Sequence, residues 1–262
     1  MIGNSRLHWA WFAEDTLLFS WDCDHFVPNL TAGQLPREIF PPSLHSQTLE
    51  NIPLYIASVV PEQTIFWQEY PYSRIITLED IPLQSVYPSL GVDRALALWG
   101  AGIRYNFPCL VVDAGTALTF TGARGDAFGP LGERTLVGGA ILPGLRLQLQ
   151  SLAGNAAALP QVYPESSLPD RWALNTKEAI ASGVIYTILA GVKDFLTDWL
   201  TMFPESSVIL TGGDGQLLFD LLQMKSLLIF DPHVIFWGMR CLRLATRTGF
   251  TGFTRLTGFI QQ

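Results

Sequence analysis

Residues 109–121 read CLVVDAGTALTFT, two apolar runs separated by a turn of small residues. The first run, Cys109 to Ala114, has the continuous apolar character of a buried strand. The second run, Ala117 to Thr121, is again strand-like. The sequence therefore predicts a strand, a tight turn and a second strand, with Asp113 and Thr116 at the turn.

Two further turns of small residues accompany strand-like runs elsewhere in the chain. GNSR at 3–6 comes just before two aromatic-rich runs, Leu7 to Ala13 and Thr16 to Trp21, which predict a β-hairpin. TGGDG at 211–215 follows the apolar run Val208 to Leu210. Small residues let the backbone approach an anion closely, and the N–H groups of a turn can point at it. Each turn alone has an ordinary structural explanation, but three of them favour a nucleotide held by its phosphates.

The remaining elements follow from hydrophobic periodicity and from Gly and Pro breakers. Strands and hairpins followed by helices, twice along the chain, are typical of an α/β protein with one mixed sheet per domain and a cleft between the domains. We place the boundary near Tyr105, which gives domains at 1–105 and 106–262, and we see no chemistry in the tail at 248–262. The further predicted elements are strands at 53–60 and 74–78, and helices at 93–104, 143–152, 175–203, 216–224 and 234–247.

Composition excludes several classes of protein. The 262 residues are 48% hydrophobic and 15% charged, as in a globular protein, and the net charge of −7 argues against nucleic-acid binding. We expect no signal peptide, and Asp, Arg or Pro interrupts the apolar runs before they could span a membrane, so we expect a cytoplasmic protein. Three separated cysteines and four scattered histidines predict reduced thiols and no zinc site.

Seven segments carry a resemblance to a known family. They are IGNSRLHWAWF (2–12), LGVDRALALWGA (90–101), VVDAGTALTF (111–120), GGAILPGLRLQLQSL (138–152), LP (159–160), NTKEAIASG (175–183) and TGGDG (211–215). In this order they resemble the type III pantothenate kinases of the actin- and hexokinase-like superfamily. The resemblance implies two actin-like (ribonuclease H-like) domains with mixed sheets and an inter-domain cleft. It also implies ATP-dependent phosphorylation of pantothenate to 4'-phosphopantothenate, the first step of coenzyme A biosynthesis, by a homodimer.

The GVDR segment supplies the expected catalytic group. By resemblance Asp93 is the general base, since a carboxylate can take the proton of an attacking hydroxyl. The alternative is an ordinary helix N-cap. Arg94 is expected to hold the substrate, with a surface ion pair as the alternative, and Gly91 and Val92 to let the substrate approach closely. Tyr87 is a weaker match to a substrate-site tyrosine, because its spacing to Gly91 is shorter than in the family.

The turns supply the expected ATP and cation contacts. Asp113 resembles the ligand of a monovalent cation, K⁺ or NH₄⁺, although a carboxylate at a strand end can equally bond its own turn. Thr116 resembles an ATP-phosphate contact. Thr176 resembles a pantothenate contact given by the neighbouring subunit, with a helix N-cap as the alternative. The remaining expected ATP contacts, with Mg²⁺ as the partner of ATP, are Gly3, Asn4, Ser5, Arg6, Gly212 and Gly213.

The chain departs from the family at three positions. Met1 stands where the family has an Asp that helps to organise magnesium, so either translation starts upstream or the chain lacks this carboxylate. Thr121 replaces a common Asp, and Ala156 replaces a common Thr. The departure at Met1 favours an alternative function, a non-catalytic regulatory or accessory protein on the same fold. A sugar kinase of the same superfamily is a third hypothesis, and the GVDR segment speaks against it.

Overall fold

The computed structural model describes residues 1–28, 35–45, 51–125, 133–155 and 159–247, and shows a mixed α/β protein. The tail at 248–262 and Ala156 lie outside the described residues. The strands are β1 (Leu7–Ala13), β2 (Thr16–Cys23), β3 (Leu54–Ile56), β4 (Ser73–Ile75), β5 (Cys109–Ala114), β6 (Ala117–Gly125), β7 (Arg134–Pro143), β8 (Ser207–Thr211) and β9 (Ile229–Phe230). The helices are α1 (Pro61–Gln68), α2 (Val92–Tyr105), α3 (Leu145–Asn155), α4 (Thr176–Met202), α5 (Gly215–Leu222) and α6 (Val234–Arg247).

The chain forms two compact units. Unit 1 comprises residues 1–82, 87–96 and the described part of 239–262, and unit 2 comprises 83–86 and 97–238. The chain passes from one unit to the other within α2 and within α6. The predicted boundary near Tyr105 lies at the end of α2, whereas the division into units falls inside this helix. The two domains at 1–105 and 106–262 stay a prediction.

Unit 1 contains two small sheets that a single residue connects. β1 and β2 form the predicted antiparallel hairpin, and β3 and β4 pair in parallel. Ile2 bridges both sheets, antiparallel to Leu7 and parallel to Ser58. Its N–H donates to Ala57 O at 2.8 Å, and its carbonyl accepts from Val59 N–H at 3.1 Å. The turn at 3–6 is therefore anchored at the junction of the two sheets.

An aromatic cluster forms the core of unit 1. The rings of Trp9 and Trp21 stack with centroids 5.9 Å apart, and Trp67 meets Trp9 edge-on at 5.1 Å. Phe40 packs against both stacked rings. The indole N–H of Trp21 donates to Ile39 O at 2.6 Å, so its one polar atom is satisfied inside the cluster. These contacts explain why the hairpin is rich in tryptophan.

Unit 2 is built on one five-stranded sheet in the order β7-β6-β5-β8-β9. β5, β6 and β7 are antiparallel neighbours, whereas β8 and β9 run parallel to β5. β5 is buried at nearly every residue, as expected of a central strand. α4 contributes a row of buried residues at helical spacing to the same core, including Ile185, Leu189, Val192 and Trp199.

Several sequence-based assignments need correction. The strand predicted at 53–60 is confined to Leu54–Ile56, because Ser58 and Val59 pair with Ile2 instead and α1 begins at Pro61. The strand predicted at 74–78 ends at Ile75, and a short 3-10 helix with a capping box begins at Leu78. The segment from Gly138 to Pro143 belongs to strand β7, so helix α3 begins only at Leu145.

α4 also bears on the expected absence of membrane spans. Among the described residues it is the one helix long and apolar enough to cross a membrane, judged by length and composition. The expectation that no apolar run reaches that length therefore fails on this criterion. α4 is nevertheless a core helix of unit 2, since its buried residues pack against the sheet.

Gly100 gives a direct test of this packing. A Cβ built on Gly100 in α2 would collide with the backbone of α6 at Val234 O and Gly238 N, and neither backbone atom can rotate away. We expect Gly100→Ala to lower the free energy of unfolding by about 1–3 kcal/mol or more, measured by urea denaturation. The matched control is Gly154→Ala in α3, where a Cβ meets nothing within 4 Å and helix propensity adds up to about 1 kcal/mol. Equal effects in the two variants would contradict this account of the α2–α6 contact.

Candidate active site

The predicted phosphate turns of unit 2 meet at one edge of the sheet. β5 and β8 are parallel neighbours in a register that places Asp113 opposite Thr211. The carboxyl ends of both strands, and the turns that follow them, therefore lie side by side. Ligands of open α/β sheets bind at this edge, where turn N–H groups and helix starts are available.

Gly212 is the residue that lets these two turns touch. Its φ is +91°, and a Cβ built there would collide with Asp113 Oδ1 and with the backbone of Ala114. The N–H of Asp214 donates to Ala114 O at 2.8 Å, which joins the turns by backbone. Gly213, by contrast, borders open space. Glycine at 212 is thus required by packing, and glycine at 213 leaves room for a ligand.

The start of α3 joins the same turn from the other side. Gly144 N–H donates to Thr116 O at 2.9 Å, and a Cβ at Gly144 would collide with Gly115 O. In addition, Arg146 Nε donates to the buried carboxylate of Asp214 at 2.8 Å. Neither Arg146 nor Asp214 was predicted as a site residue, although both lie in segments that carry the family resemblance, 138–152 and 211–215.

The GVDR segment of unit 1 fixes the carboxylate of Asp93. α2 makes its first helical bond from Ala95 N–H to Gly91 O at 3.1 Å, so Asp93 lies inside the first turn and is not the N-cap residue. Its Oδ1 accepts the N–H of Arg94 at 2.8 Å. The carboxylate also receives a backbone hydrogen bond from its own N–H. A Cβ at Gly91 would collide with Oδ1, so the carboxylate folds back over this glycine.

Burial alters the acidity of Asp93. The side chain is half-buried, and desolvation raises the pKa of its carboxyl above the ordinary value, because water no longer stabilises the anion. The hydrogen bond from Arg94 N–H and the charge of Arg94 oppose this rise without cancelling it. A carboxylate whose pKa is raised is a stronger base.

Arg94 and Tyr87 belong to the same cluster as Asp93. Arg94 is 8% exposed, which excludes the surface ion pair considered for it. Its Nη1 donates to the hydroxyl of Tyr87 at 3.0 Å. A tight turn with a bond from Leu90 N–H to Tyr87 O at 3.0 Å brings Tyr87 close despite its short spacing to Gly91. The structure thus brings together Tyr87, Gly91, Val92, Asp93 and Arg94.

The first turn of unit 1 is surrounded by groups that the sequence analysis missed. Gly3 N–H donates to Arg6 O at 3.0 Å, and Gly3 O lies 2.8 Å from Nε2 of His25. His8 faces the same glycine, and its Nδ1 is 2.7 Å from Asp22 Oδ1. This hydrogen bond lowers the pKa of Asp22. Single histidines and a strand aspartate carry no sequence signal that would place them at this turn.

Thr176 is the residue expected to contact pantothenate from a neighbouring subunit. It is the first residue of α4, and it is exposed. The N-cap is Asn175, whose side chain accepts the N–H of Glu178 at 3.0 Å, so the capping alternative for Thr176 is wrong.

The oxygen groups at the unit 2 turns suit the expected cations. Asp113 Oδ1 and Ala114 O both lie against Gly212, and such hard oxygens are the donors that K⁺ prefers. Within the described residues, no group of three or more His, Cys, Asp or Glu side chains is placed to hold a metal. Mg²⁺ commonly needs no such cage, since it binds one or two carboxylates together with substrate phosphates and water.

The family model and the relatives that match this chain carry the same family name. The family model described as "Type III pantothenate kinase" matches residues 2–198. A protein of Nostoc sp. named type III pantothenate kinase is 48% identical, over 92% of this chain and 92% of its own length. One of the same name from Synechocystis sp. is 45% identical, over 94% and 90%. A crystal structure of a conserved putative Baf family transcriptional activator from Campylobacter jejuni has a TM-score of 0.61 at 20% identity, covering 94% of this chain and 97% of that one, and supports the fold alone.

The raised pKa of Asp93 predicts an unusual dependence of stability on pH. A group whose pKa is raised on folding stabilises the protein at acidic pH, and this contribution is lost as pH rises through its folded pKa. Asp93→Asn removes the charge but keeps an oxygen for the N–H of Arg94. At neutral pH the variant is therefore expected to melt at a higher temperature than the parent, with the difference shrinking on acidification, measured by circular dichroism.

Asp220 provides a control of opposite sign. Hydrogen bonds from Lys225 and Gln216 lower the pKa of Asp220. Its contribution to the stability of the fold is therefore present at neutral pH and lost on acidification. Asp220→Asn is expected to lower the melting temperature slightly at neutral pH. If both variants moved the melting temperature in the same direction, the burial argument for Asp93 would be wrong.

Proposed function

Because this chain belongs to the type III pantothenate kinase family, and so phosphorylates pantothenate with ATP in coenzyme A biosynthesis, we propose that Asp93 is the base of that reaction. The observation that carries this proposal is the half-buried carboxylate of Asp93, whose pKa is raised and whose Oδ1 is held by the N–H of Arg94. The bond from Arg94 N–H orients the carboxylate, so the oxygen that accepts the proton has a defined direction.

The reaction follows from this geometry and from phosphoryl-transfer chemistry. The primary hydroxyl of pantothenate attacks the γ-phosphorus of ATP in line with the departing oxygen of the β-phosphate. An oxygen–phosphorus bond forms, the bond to the β-phosphate oxygen breaks with its electron pair, and ADP leaves. Asp93 accepts the hydroxyl proton. The barrier is lowered mainly by positioning and by charge stabilisation of the transferred group.

The neighbours of Asp93 are proposed to bind pantothenate. Gly91 and Val92 are proposed to let the substrate approach closely, since it must come within hydrogen-bond reach of the base. The guanidinium of Arg94 is buried and held by Tyr87, so it can hold a polar group of the substrate without reorganising.

The turns are proposed to bind ATP. In unit 2, Thr116, Gly212 and Gly213 lie in the turns at the carboxyl edge of the sheet, and a Cβ at Gly213 would meet nothing within 4 Å. In unit 1 the exposed residues Asn4, Ser5 and Arg6 follow Gly3 in a closed turn. The strand order of unit 2, with two antiparallel and two parallel pairs of neighbours, supports the actin-like (ribonuclease H-like) assignment. The expected inter-domain cleft stays a prediction.

Two cations are proposed to assist ATP. Asp113, with the carbonyl of Ala114 beside it, would hold the monovalent cation, K⁺ or NH₄⁺. Mg²⁺ would be bound largely by the phosphates and water, as is common for this ion. Together these ions would supply positive charge next to the transferred phosphoryl group.

We propose a homodimer on the basis of an exposed apolar surface of unit 2. The chain before α4 is bound to that helix by Ser182 Oγ, which donates to Arg171 O at 2.8 Å, and by the hydroxyl of Tyr186. Trp172 is nevertheless 88% exposed and Leu174 fully exposed, next to Thr176. Large apolar side chains held in place but uncovered are typical of protein–protein interfaces. This supports Thr176 as a contact to the substrate of a neighbouring subunit.

A cytoplasmic location is proposed on chemical grounds. Cys23, Cys109 and Cys241 all carry free thiols, and burial raises the pKa of Cys109 and Cys241, which keeps both unreactive. The alternative of a non-catalytic accessory protein rests on the missing carboxylate at Met1. The retained Asp93, Asp113 and Thr116, in the arrangements described, favour the kinase.

Asp93→Asn is the test of the base. We expect about a 10²–10⁴-fold loss of kcat in an assay of ADP release, with pantothenate present and the fold intact. In the parent, kcat/KM should fall on acidification as Asp93 takes up a proton, and the variant's residual rate should lack this acid limb. Asp220→Asn should keep parental activity. If Asp93→Asn kept parental activity, the assignment of Asp93 as the base would be wrong. If the parent were equally active with sugars or without an acceptor, pantothenate would not be its specific substrate.

Mixed dimers test the contribution of Thr176. Thr176→Ala should raise the KM for pantothenate, whereas Asp93→Asn should lose turnover. If Thr176 acts across a dimer interface, a mixed dimer of the two variants contains one site with both parental residues. Co-expressed variants with different affinity tags, purified through both tags, should then recover near-parental KM in the remaining active sites. A monomeric protein in light scattering, or no recovery in the mixed dimer, would contradict the proposal.

A further inference from the structure

We propose that Arg146 is an ATP-phosphate contact of unit 2, held in place by Asp214. This inference rests on the proposed function, since it requires ATP to bind at the turn of Asp113 to Thr116. Three segments meet at this site: the turn itself, the start of α3 and the turn after β8. The bond of 2.8 Å from Arg146 Nε to Asp214 Oδ1 joins the second segment to the third.

Asp214 is suited to hold the guanidinium of Arg146 in place. It is 4% exposed, and its N–H is fixed to Ala114 O at 2.8 Å. It stands at the N-cap position of α5, yet its side chain makes no capping bond. The side chain instead receives Arg146. A buried carboxylate needs such a charged partner, because an uncompensated charge in the interior is costly.

The guanidinium of Arg146 has hydrogen-bond donors that Asp214 does not use. Its side chain is 61% exposed, and Nε is the one guanidinium nitrogen that bonds to the residues described by the structure. Nη1 and Nη2 therefore remain available for a ligand. The guanidinium is a rigid planar fork whose remaining N–H groups match two oxygens of a phosphate. Because one edge of the fork is bound to Asp214, the direction of the other edge is set before a ligand arrives.

The position of Arg146 points to the phosphates of ATP. It is the second residue of α3, two residues beyond Gly144, whose N–H bonds Thr116 O at 2.9 Å. The guanidinium thus stands at the rim of the turn proposed to bind ATP phosphates. A triphosphate carries several negative charges, and a preoriented cation at this rim stabilises them without reorganisation.

A purely structural ion pair is the competing explanation. Lys225 and Asp220 form such a pair on the surface of unit 2, also at 2.8 Å and with Lys225 62% exposed. That pair differs in one respect, since Asp220 is exposed whereas Asp214 is buried beside the phosphate turn. Lys225→Gln is therefore the matched control for Arg146→Gln.

The experiment measures binding of ATP, ADP and adenosine by calorimetry to the parent, Arg146→Gln and Lys225→Gln. Loss of a charge-assisted contact should weaken ATP binding about 10- to 100-fold, and ADP binding comparably or less. Adenosine binding should stay unchanged, because Arg146 is assigned to phosphate. Arg146→Lys should recover part of the loss only, since an ammonium cannot serve Asp214 and a phosphate with the same fork. Lys225→Gln should match the parent.

A second variant guards against misfolding. Arg146→Gln leaves Asp214 buried and unpaired, so the double variant Arg146→Gln/Asp214→Asn removes both charges and should restore stability but not ATP affinity. Parental ATP affinity in either folded variant overturns the inference, as does an equal loss for adenosine, which would indicate a contact to the base or ribose. Failure of the inference is distinct from failure of the proposed function. In the first case the parent phosphorylates pantothenate and Arg146→Gln binds ATP normally, and in the second the parent itself is inactive.

Discussion

The parallel pairing of β5 with β8 is the interaction on which the candidate site depends. It sets Asp113 opposite Thr211, and from that register follow the contact of Gly212 with Asp113, the bond from Asp214 to Ala114 and the docking of α3 on Thr116. A shift of one residue in this pairing would turn each side chain to the other face of the sheet. The buried apolar residues of β5 and β8 prevent such a shift, so the packing of the core also fixes the geometry of the turns.

A different constraint governs unit 1, where a carboxylate is kept in a place that costs stability. Burial disfavours the charged form of Asp93, while two backbone N–H groups and the charge of Arg94 only partly compensate. The desolvation that lowers stability also makes the carboxylate oxygen of Asp93 a better proton acceptor. Gly91 is part of this arrangement, since any larger residue would displace the carboxylate.

Much of the fold was predictable because its elements carry local signals. The hairpin of β1 and β2, strand β5, and helices α2, α4 and α6 have clear periodicity and are found within a few residues of the predicted bounds. β7 was missed because the Gly138–Gly139 pair has low strand propensity, and β9 because it has only two residues. α1 buries only Trp67 and so shows little helical pattern. Within the site, motif residues were predictable, whereas His8, Asp22 and Arg146 depend on neighbours distant in sequence, which a single chain does not reveal.

The uncovered Trp172 and Leu174 have a thermodynamic consequence. If a second copy covers them, the apolar area that they bury counts toward folding only in the assembled state, so the free energy of unfolding includes a mass-action contribution. Dilution would then weaken the native state without any change in solvent or temperature. The concentration of the protein in the cell would then be one of the variables that set the stability of each copy.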